Sequence, residues 1–326
     1  MPKDRVLELL LNAKGEYISG EYISEQLSVS RAAVCKDIKS IKDMGYTVEA
    51  VTNRGYRLVS ECETLSLPSL KSIVAENYQD RIVILDSIDS TNTYAKHMAM
   101  EGAPSGTIII AREQTGGRGR RGKNFSSVKD VGLYLSAILR PDVLPTDAVT
   151  LTAYAAVAMR NAIEKCCGIA PEIKWINDLV MNKKKIAGIL TEMSIEGESG
   201  KVDYIVLGIG INALQEQNSF PDEIQEIATS IYAATGKKLS LNSLAASVIN
   251  ELDDMLDAWK TKRPDYYETF SSSCISLKAP LLVGAEKRPA KAIGLDKEYG
   301  LIVEFEDGST ATQSAGEVSV VGYCGF

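Results

Sequence analysis

The sequence predicts an α+β chain of three units: an N-terminal winged helix-turn-helix over 1–62, a central α/β domain with a mixed sheet over 68–272, and a C-terminal SH3-like β-barrel over 273–326. Three observations predict it. Helical spacing followed by a hairpin signal fills the first stretch, apolar strands alternate with helices in the second, and short strands separated by glycine turns fill the third. With 326 residues, 45% hydrophobic and 24% charged, the chain is long enough for several domains and a large core. No apolar run reaches the length of a membrane span and the start carries no apolar signal core, so a cytoplasmic protein without a membrane partner is expected.

In the first unit Val6, Leu7, Leu10 and Leu11 recur at helical spacing and a second short helix covers 21–27. Ser30 is placed to cap a third, whose inner face is Val34, Ile38 and Ile41. That helix turns Arg31, Ala32, Cys35, Lys36, Lys39 and Lys42 outward, small residues and cations where a DNA groove would lie. Gly45 ends it, and 47–51 then pairs with 56–59 across Thr52-Asn53-Arg54-Gly55, giving a hairpin that carries Arg54 and Arg57. The pattern is that of a winged helix-turn-helix. Ser30, Arg31, Ala32, Cys35, Lys36, Lys39 and Arg54 are the candidate DNA contacts; a helical protein-interaction module is the alternative. A formal net charge of -7 does not oppose DNA binding, because screening confines the relevant field to about 8 Å. One such unit grips weakly, which predicts a homodimer reading two half-sites.

The stretch 61–68 has no periodicity, and Pro68 is placed to start a helix. A strand over 82–85 leads to Ser90-Thr91-Asn92 and a helix that stops near Glu101-Gly102. Ser90 or Thr91 caps that helix, or the hydroxyls line the crevice where ligands sit in α/β sheets. Between buried strands over 106–111 and 132–139 lies Gln114-Thr115-Gly116-Gly117-Arg118-Gly119-Arg120-Arg121-Gly122-Lys123, four glycines and four cations with no acid. Such a stretch cannot bury itself. It is expected to be a mobile loop that a phosphate-bearing ligand orders through backbone N–H groups and guanidinium forks, the plainer reading being a solvated loop or an RNA-binding segment.

A long helix is predicted over 147–166, packed on the sheet through Val149, Ala153, Ala156, Val157 and Ile163. A strand over 172–179 follows, with Lys174 either at a sheet edge or facing a polar cavity. Lys183-Lys184-Lys185 reads as an exposed turn before strands over 186–192 and 204–212. Gly208 and Gly210 share one face of the latter, leaving room for a flat ligand or another backbone, or marking a bulge. Helix 241–259 comes next, then a boundary near Ser271-Ser272-Ser273, then short strands with turns at Val283-Gly284, Asp307-Gly308 and Ala315-Gly316. The six cysteines, Cys35, Cys62, Cys166, Cys167, Cys274 and Cys324, lack CxxC spacing and are expected as thiols without disulfides or zinc. His97 is the only histidine and is expected on a helix surface, so no protein metal centre is predicted.

Taken together and in order, these motifs resemble the bifunctional bacterial biotin protein ligases, which also repress biotin genes. The resemblance covers nearly the whole chain. It rests on Ser30-Arg31-Ala32-Ala33-Val34, Ser90-Thr91-Asn92, Gln114 with Gly117-Arg118-Gly119-Arg120-Arg121-Gly122, Lys174-Trp175-Ile176-Asn177-Asp178, Ala187-Gly188-Ile189-Leu190, Gly208-Ile209-Gly210-Ile211-Asn212 and Gly316-Glu317-Val318-Ser319. Ile176 stands where the family usually has proline, Gly116 where alanine is frequent and Phe125 where tryptophan is common.

The resemblance implies that biotin and Mg2+-ATP give biotinyl-5'-AMP and pyrophosphate, after which a lysine of a biotin carboxyl carrier protein domain, from acetyl-CoA or pyruvate carboxylase, takes the biotinyl group. It implies biotin contacts at Ser90, Thr91, Asn92, Gln114, Arg118, Arg120, Lys174, Gly188, Gly208 and Gly210, and ATP contacts at Arg118, Arg120, Arg121, Asn177, Lys185 and Asn212. Catalytic roles fall to Lys174, Arg118, Arg120 and Arg121, and operator DNA becomes a second partner. Fixed cations suit this chemistry, because charge builds on phosphoryl oxygens and no enzyme nucleophile is needed.

Overall fold

The computed structural model describes residues 2–43, 45–60, 64–314 and 318–323. The N-terminal unit contains α1 (Pro2–Asn12), α2 (Gly20–Leu27), α3 (Arg31–Asp43) and a hairpin of β1 (Thr47–Val51) and β2 (Gly55–Ser60). Val6, Leu7, Leu10, Ile23, Val34, Ile38 and Ile41 recur at helical spacing and close a core of their own with Tyr46 and Val48. Ser30 caps α3, its hydroxyl accepting from the Ala33 N–H at 3.2 Å. Where the wing crosses the chain before α2, a Cβ on Gly55 would lie 2.1 Å from the Ile18 carbonyl, so only glycine fits. Two side chains fasten this unit to the larger body of the chain. The Tyr46 hydroxyl bonds those of Ser66 and Ser69, while the Ser66 N–H donates to Asn242 Oδ1 at 2.9 Å and Asn242 Nδ2 to the Thr64 carbonyl at 3.0 Å.

Beyond α4 (Leu67–Lys71), which Pro68 starts, come β3 (Ile82–Leu85), α5 (Thr91–Met100), β4 (Thr107–Ala111), β5 (Gly132–Leu139), α6 (Pro145–Ala148) and α7 (Leu151–Cys167). Then follow β6 (Glu172–Lys174), β7 (Asp178–Met181), β8 (Lys184–Ile195), β9 (Val202–Asn212), α8 (Asp222–Gln225), α9 (Ile231–Thr235) and α10 (Leu241–Thr261). The seven strands form one mixed sheet in the order β3-β4-β5-β9-β8-β7-β6, with β3 and β4 parallel and the other pairs antiparallel. Side chains alternate between faces along a strand. Leu133, Leu135, Ala137, Ile205, Leu207, Ile209 and Ile211 therefore pack in the main core with α7 and α10, while Ile138 and Val206 pack with Ala95 and Ala99 of α5. The same alternation puts Ser136, Gly208 and Gly210 on the α5 face.

Several expected elements are redrawn. The helix expected over 147–166 is interrupted at Thr150, whose hydroxyl donates to the Asp147 carbonyl at 3.0 Å and accepts from the Trp259 indole at 2.9 Å, competing with regular helix. The strand expected over 172–179 folds back at Trp175-Ile176-Asn177, a turn held by the buried Trp175, whose indole donates to the Tyr299 carbonyl at 2.8 Å. Lys174 thereby comes opposite Asp178. Asn182 and Lys183 make the next turn at φ 49 and 64, and Lys184 and Lys185 belong to β8, half-buried rather than exposed.

Pro264 opens α11 (Pro264–Ser273) as Pro68 opens α4, and Ser271, Ser272 and Ser273 form its last turn. An antiparallel sheet ordered β13-β12-β11-β10-β14 follows, from β10 (Pro280–Val283), β11 (Arg288–Leu295), β12 (Leu301–Phe305), β13 (Thr310–Gln313) and β14 (Val318–Val320). Leu281, Val283, Leu301, Val303, Val318 and Val320 join the same core as α7 and α10. Cys35 is exposed, Cys166 half-buried, and Cys167 and Cys274 buried, all as thiols. Cys62, Cys324 and the Gly316-Glu317 pair of the terminal motif lie outside the described residues. His97 is exposed on α5. Among the described residues no helix is long and apolar enough to cross a membrane.

Candidate active site

On the α5 face of the large sheet, beyond the end of β3, a cavity is walled by Ser90, Thr91, Asn92, Gln114, Arg118, Gly119, Arg120, Phe125, Asn177, Lys185, Gly188, Ile189, Leu190, Gly208, Ile209 and Gly210. Its floor follows from strand register, since Gly188 lies opposite Gly210 and Leu190 opposite Gly208. A Cβ on Gly208 would stand 2.1 Å from Asn92 Oδ1, one on Gly210 2.7 Å from the Phe125 ring, and one on Gly188 2.9 Å from Lys185 Nζ. The close approach that these glycines allow is thus made by side chains of the protein itself.

Buried hydroxyls and amides join the floor to α5. Ser90 occupies the N-cap position of α5 without making a side-chain cap bond. Gln114 does that work instead: its Oε1 accepts from Thr91 N–H at 2.8 Å and from Thr91 Oγ1 at 3.0 Å, and its Nε2 donates to Ser127 Oγ at 2.8 Å. Ser136 Oγ bonds Thr91 Oγ1 at 2.8 Å and Asn92 Oδ1 at 2.6 Å. Asn92 Nδ2 donates to Glu192 at 2.8 Å, and Glu192 pairs with Lys96. Burial works against the Glu192 charge, yet the bonds from Lys96 and Asn92 prevail and hold its carboxyl below the usual range. Both ends of the Asn92 amide are engaged, which makes it a brace within the wall.

The loop over 114–123 forms the rim. Isolated bridges pair Gln114 with Ser127 and Arg118 with Asn124, and a single 3-10 turn covers Arg120–Gly122 with Arg121 at φ 55. Arg118 is exposed, while Arg120 Nη1 donates to Asn177 Oδ1 at 2.9 Å. Across from them Lys185 Nζ meets Asp178 Oδ1 at 2.7 Å. Three cations therefore converge on one cavity, an arrangement suited to a carboxylate meeting a phosphate.

Three expected contacts are not among the residues that wall this cavity. Lys174 is half-buried at the end of β6 and is not part of the wall, because the reversal at Trp175 brings the β7–β8 hairpin, and with it Lys185, to the cavity. Arg121 is exposed at the left-handed position of the loop, outside the wall. Asn212 is buried, with Nδ2 donating to the Thr229 carbonyl at 3.1 Å and Oδ1 accepting from Gln215 at 3.4 Å, so it braces the chain after β9. Phe125 as a wall, and Ser136 and Glu192 behind it, are additions that the sequence reading lacks. A signal for one of them exists: Ser136 is the polar residue on the otherwise apolar β5, at a position whose parity puts it on the glycine face.

On α3 the side chains of Arg31, Ala32, Cys35, Lys36 and Lys39 are all exposed. Arg31 pairs with Glu21 at 3.3 Å and Cys35 Sγ lies 3.2 Å from the Tyr56 hydroxyl. In the wing, Arg54 and Arg57 stack over the Tyr17 ring at 4.5 and 4.8 Å, and Arg57 also pairs with Glu49 at 2.7 Å.

Residues 3–57 match the family model described as HTH domain, and residues 84–212 match that of the Biotin/lipoate A/B protein ligase family. Over 322 residues the chain is 37% identical to the Bifunctional ligase/repressor BirA of Bacillus subtilis (strain 168), covering 95% of this chain and 96% of that one. The chain belongs to the bifunctional biotin protein ligases. This ligase is also 31% identical over 315 residues to the Bifunctional ligase/repressor BirA of Escherichia coli (strain K12), covering 96% of this chain and 95% of that protein. The solved structure of the biotin protein ligase from Aquifex aeolicus in complex with biotin and ATP resembles it with a TM-score of 0.62 and 28% identity, covering 73% of the ligase and 97% of that chain.

Proposed function

We propose that this chain condenses biotin with ATP to biotinyl-5'-AMP, transfers the biotinyl group to a lysine of a biotin carboxyl carrier domain, and represses biotin genes through its N-terminal unit. The observation that carries this reading is the meeting of Arg118, Arg120 and Lys185 over a glycine floor edged by Thr91 and Gln114. Attack of the biotin carboxylate on the α-phosphate builds charge on phosphoryl oxygens, which preorganised cations stabilise. Lys185, which lines the cavity, is given the place between carboxylate and α-phosphate that the resemblance gives to Lys174, with Arg118 and Arg120 on the phosphates. Ser90, Thr91 and Gln114 offer the hydrogen bonds for the ureido group. Transfer to the acceptor amine then needs placement beside the mixed anhydride more than further chemistry.

Among the described residues no three His, Cys, Asp or Glu side chains cluster as a metal site. For the Mg2+ that accompanies ATP, commonly held by one or two carboxylates and substrate phosphates, Asp178 beside Lys185 is the carboxylate at hand. When bound, Mg2+ neutralises charge on the departing pyrophosphate. The reading further includes three domains (1–62, 68–272 and 273–326), an SH3-like barrel for the last, a cytoplasmic location, and a homodimer that sets Lys36, Lys39 and Arg54 on operator DNA.

The test is incubation of the purified protein with α-labelled ATP, Mg2+ and either biotin or lipoate before any acceptor is added. Labelled acyl-adenylate with biotin alone is the expected result. No adenylate with either acid, from protein that still binds biotin, sinks the ligase reading and leaves a ligand-sensing repressor.

A further inference from the structure

Two arginines of the wing share one aromatic ring, and their surroundings differ. The antiparallel bridge between Ile18 and Tyr56 joins the segment before α2 to β2 through two backbone bonds of 2.9 Å. That segment is in effect a third strand of the wing. Carried one residue further, its register sets Tyr17 opposite Arg57, which itself lies opposite Glu49 on β1. Residues opposite one another on neighbouring strands share a face, so Tyr17, Arg57 and Glu49 form a row across the wing. Arg54 reaches this row from the turn between β1 and β2, where its N–H donates to the Val51 carbonyl at 3.1 Å.

Three features separate the two arginines. First, both guanidinium groups lie over the Tyr17 ring, Arg54 at 4.5 Å and Arg57 at 4.8 Å from its centre, so the ring gathers two like charges in one place. Second, the one carboxylate of the row is taken by Arg57, whose Nε donates to Glu49 Oε2 at 2.7 Å. Arg57 first, and then the Tyr17 hydroxyl, hold the Glu49 carboxyl below its usual range. Third, Arg57 is half-buried, whereas Arg54 is exposed and has no ion-pair partner among the described residues. The cluster therefore keeps one surplus positive charge, and it sits at the turn of the wing. An arginine stacked on an aromatic ring keeps the N–H donors at its edge free for a phosphate. Without such a platform the side chain loses rotamer freedom on meeting one, which lowers affinity severalfold. The bridge fixes the Tyr17 backbone, so the ring removes part of that loss before DNA arrives.

We propose, on the reading of the N-terminal unit as a DNA binder, that Tyr17 is a positioning residue: its ring holds Arg54 for a backbone phosphate, while Arg57, kept by Glu49, braces the ring and makes no DNA contact. Through β2 the platform is tied to α3 as well, since the Tyr56 hydroxyl lies 3.2 Å from Cys35 Sγ. The wing and the helix that carries Lys36 and Lys39 would thus meet a duplex as one body.

The test measures binding of the full-length protein, with biotin and ATP present, to a fluorescent duplex of about 30 base pairs and arbitrary sequence, by anisotropy between about 50 and 200 mM salt. Arg54→Ala should lower the slope of log affinity against log salt by about 0.9, the counterion release of one phosphate contact. The paired variant Glu49→Gln with Arg57→Gln removes the ion pair at constant net charge and should keep the parent slope. Tyr17→Leu should weaken binding about two- to fivefold, the scale of one exposed cation–π contact, and Tyr17→Phe, which keeps the ring, should bind as the parent does. In the Arg54→Ala background Tyr17→Leu should weaken binding no further, because the ring acts through that guanidinium alone. A ring that merely supports the fold of the wing would weaken binding in both backgrounds. The proposal is overturned, with DNA binding left in place, by an unchanged slope in Arg54→Ala, by a lowered slope in the paired variant, by Tyr17→Leu binding as the parent does, by Tyr17→Phe binding as weakly as Tyr17→Leu, or by a Tyr17→Leu loss that persists without Arg54. A parent protein that fails to bind the duplex at about 50 mM salt overturns the DNA reading and the proposal together.

Discussion

The floor and the rim of the cavity are built in opposite ways. In the floor, Thr91, Asn92 and Ser136 are buried and bonded to one another and to Gln114 and Glu192, on elements fixed by the sheet. In the rim, Arg118 and Arg121 are exposed on a glycine-rich loop, and Arg120 reaches the opposite wall through Asn177. Unpaired cations buried in the floor would carry a desolvation penalty of several kcal/mol each, whereas exposed guanidinium groups stay hydrated until phosphate arrives. On the proposed function, shape recognition and charge stabilisation fall to separate parts, the buried floor and the exposed rim.

The sharpest way to break this division is to compare two lysines. Lys185→Ala, at the wall, should slow adenylate formation by about 10²-fold or more with unchanged thermal stability, the scale of losing one preorganised charge contact, and Lys174→Ala by less than about tenfold. The reverse order in a single-turnover assay would return the chemistry to β6. Arg120→Ala should cost about 10- to 100-fold in the same assay, mainly as a raised KM for ATP, while folding stability stays within about 0.5 kcal/mol. A large loss of stability would show that the rim is part of the scaffold.

Gly208→Ala tests the floor from the other side. The new Cβ collides with an Asn92 amide that has nowhere to go, so denaturant unfolding should show a loss of about 1–3 kcal/mol. The smallest effect is expected for Glu192→Gln. Because the native carboxyl is held below its ordinary range, its contribution is present above that range and fades as pH falls through the lowered native value. The variant should be less stable than the parent at pH 7, with the difference closing below about pH 4. A difference of constant size across that range, measured by urea unfolding, would remove the ionic role from Glu192.

Local signals carried much of this site. The parity of Gly208 and Gly210, the hydroxyls at the start of α5 and the basic loop are all legible in short windows, and the structure brings them to one cavity. What short windows could not carry are contacts between distant residues. The reversal that separates Lys174 from Lys185 is held by a bond spanning 124 residues, from Trp175 to Tyr299. The break before α7 depends on Trp259, 109 residues away from Thr150. Gln114, read as a ligand contact, also caps α5 from 23 residues downstream. Both α11 and α9 are locally legible, the first from Pro264 at its start and the second from Ser230 and Gly236 at its two ends.

The bonds from Tyr46 to Ser66 and Ser69, and from Asn242 back to Thr64 and Ser66, reach beyond stability to the arithmetic of promoters. A DNA reader fastened to its chassis works as a calliper: in the proposed homodimer the gap between the jaws would be set by protein geometry and not by a slack tether. Such a pair accepts half-sites at one separation, so inserting about five base pairs, half a helical turn, at the centre of an operator would turn one half-site to the far side of the duplex and leave the sequence intact but unread.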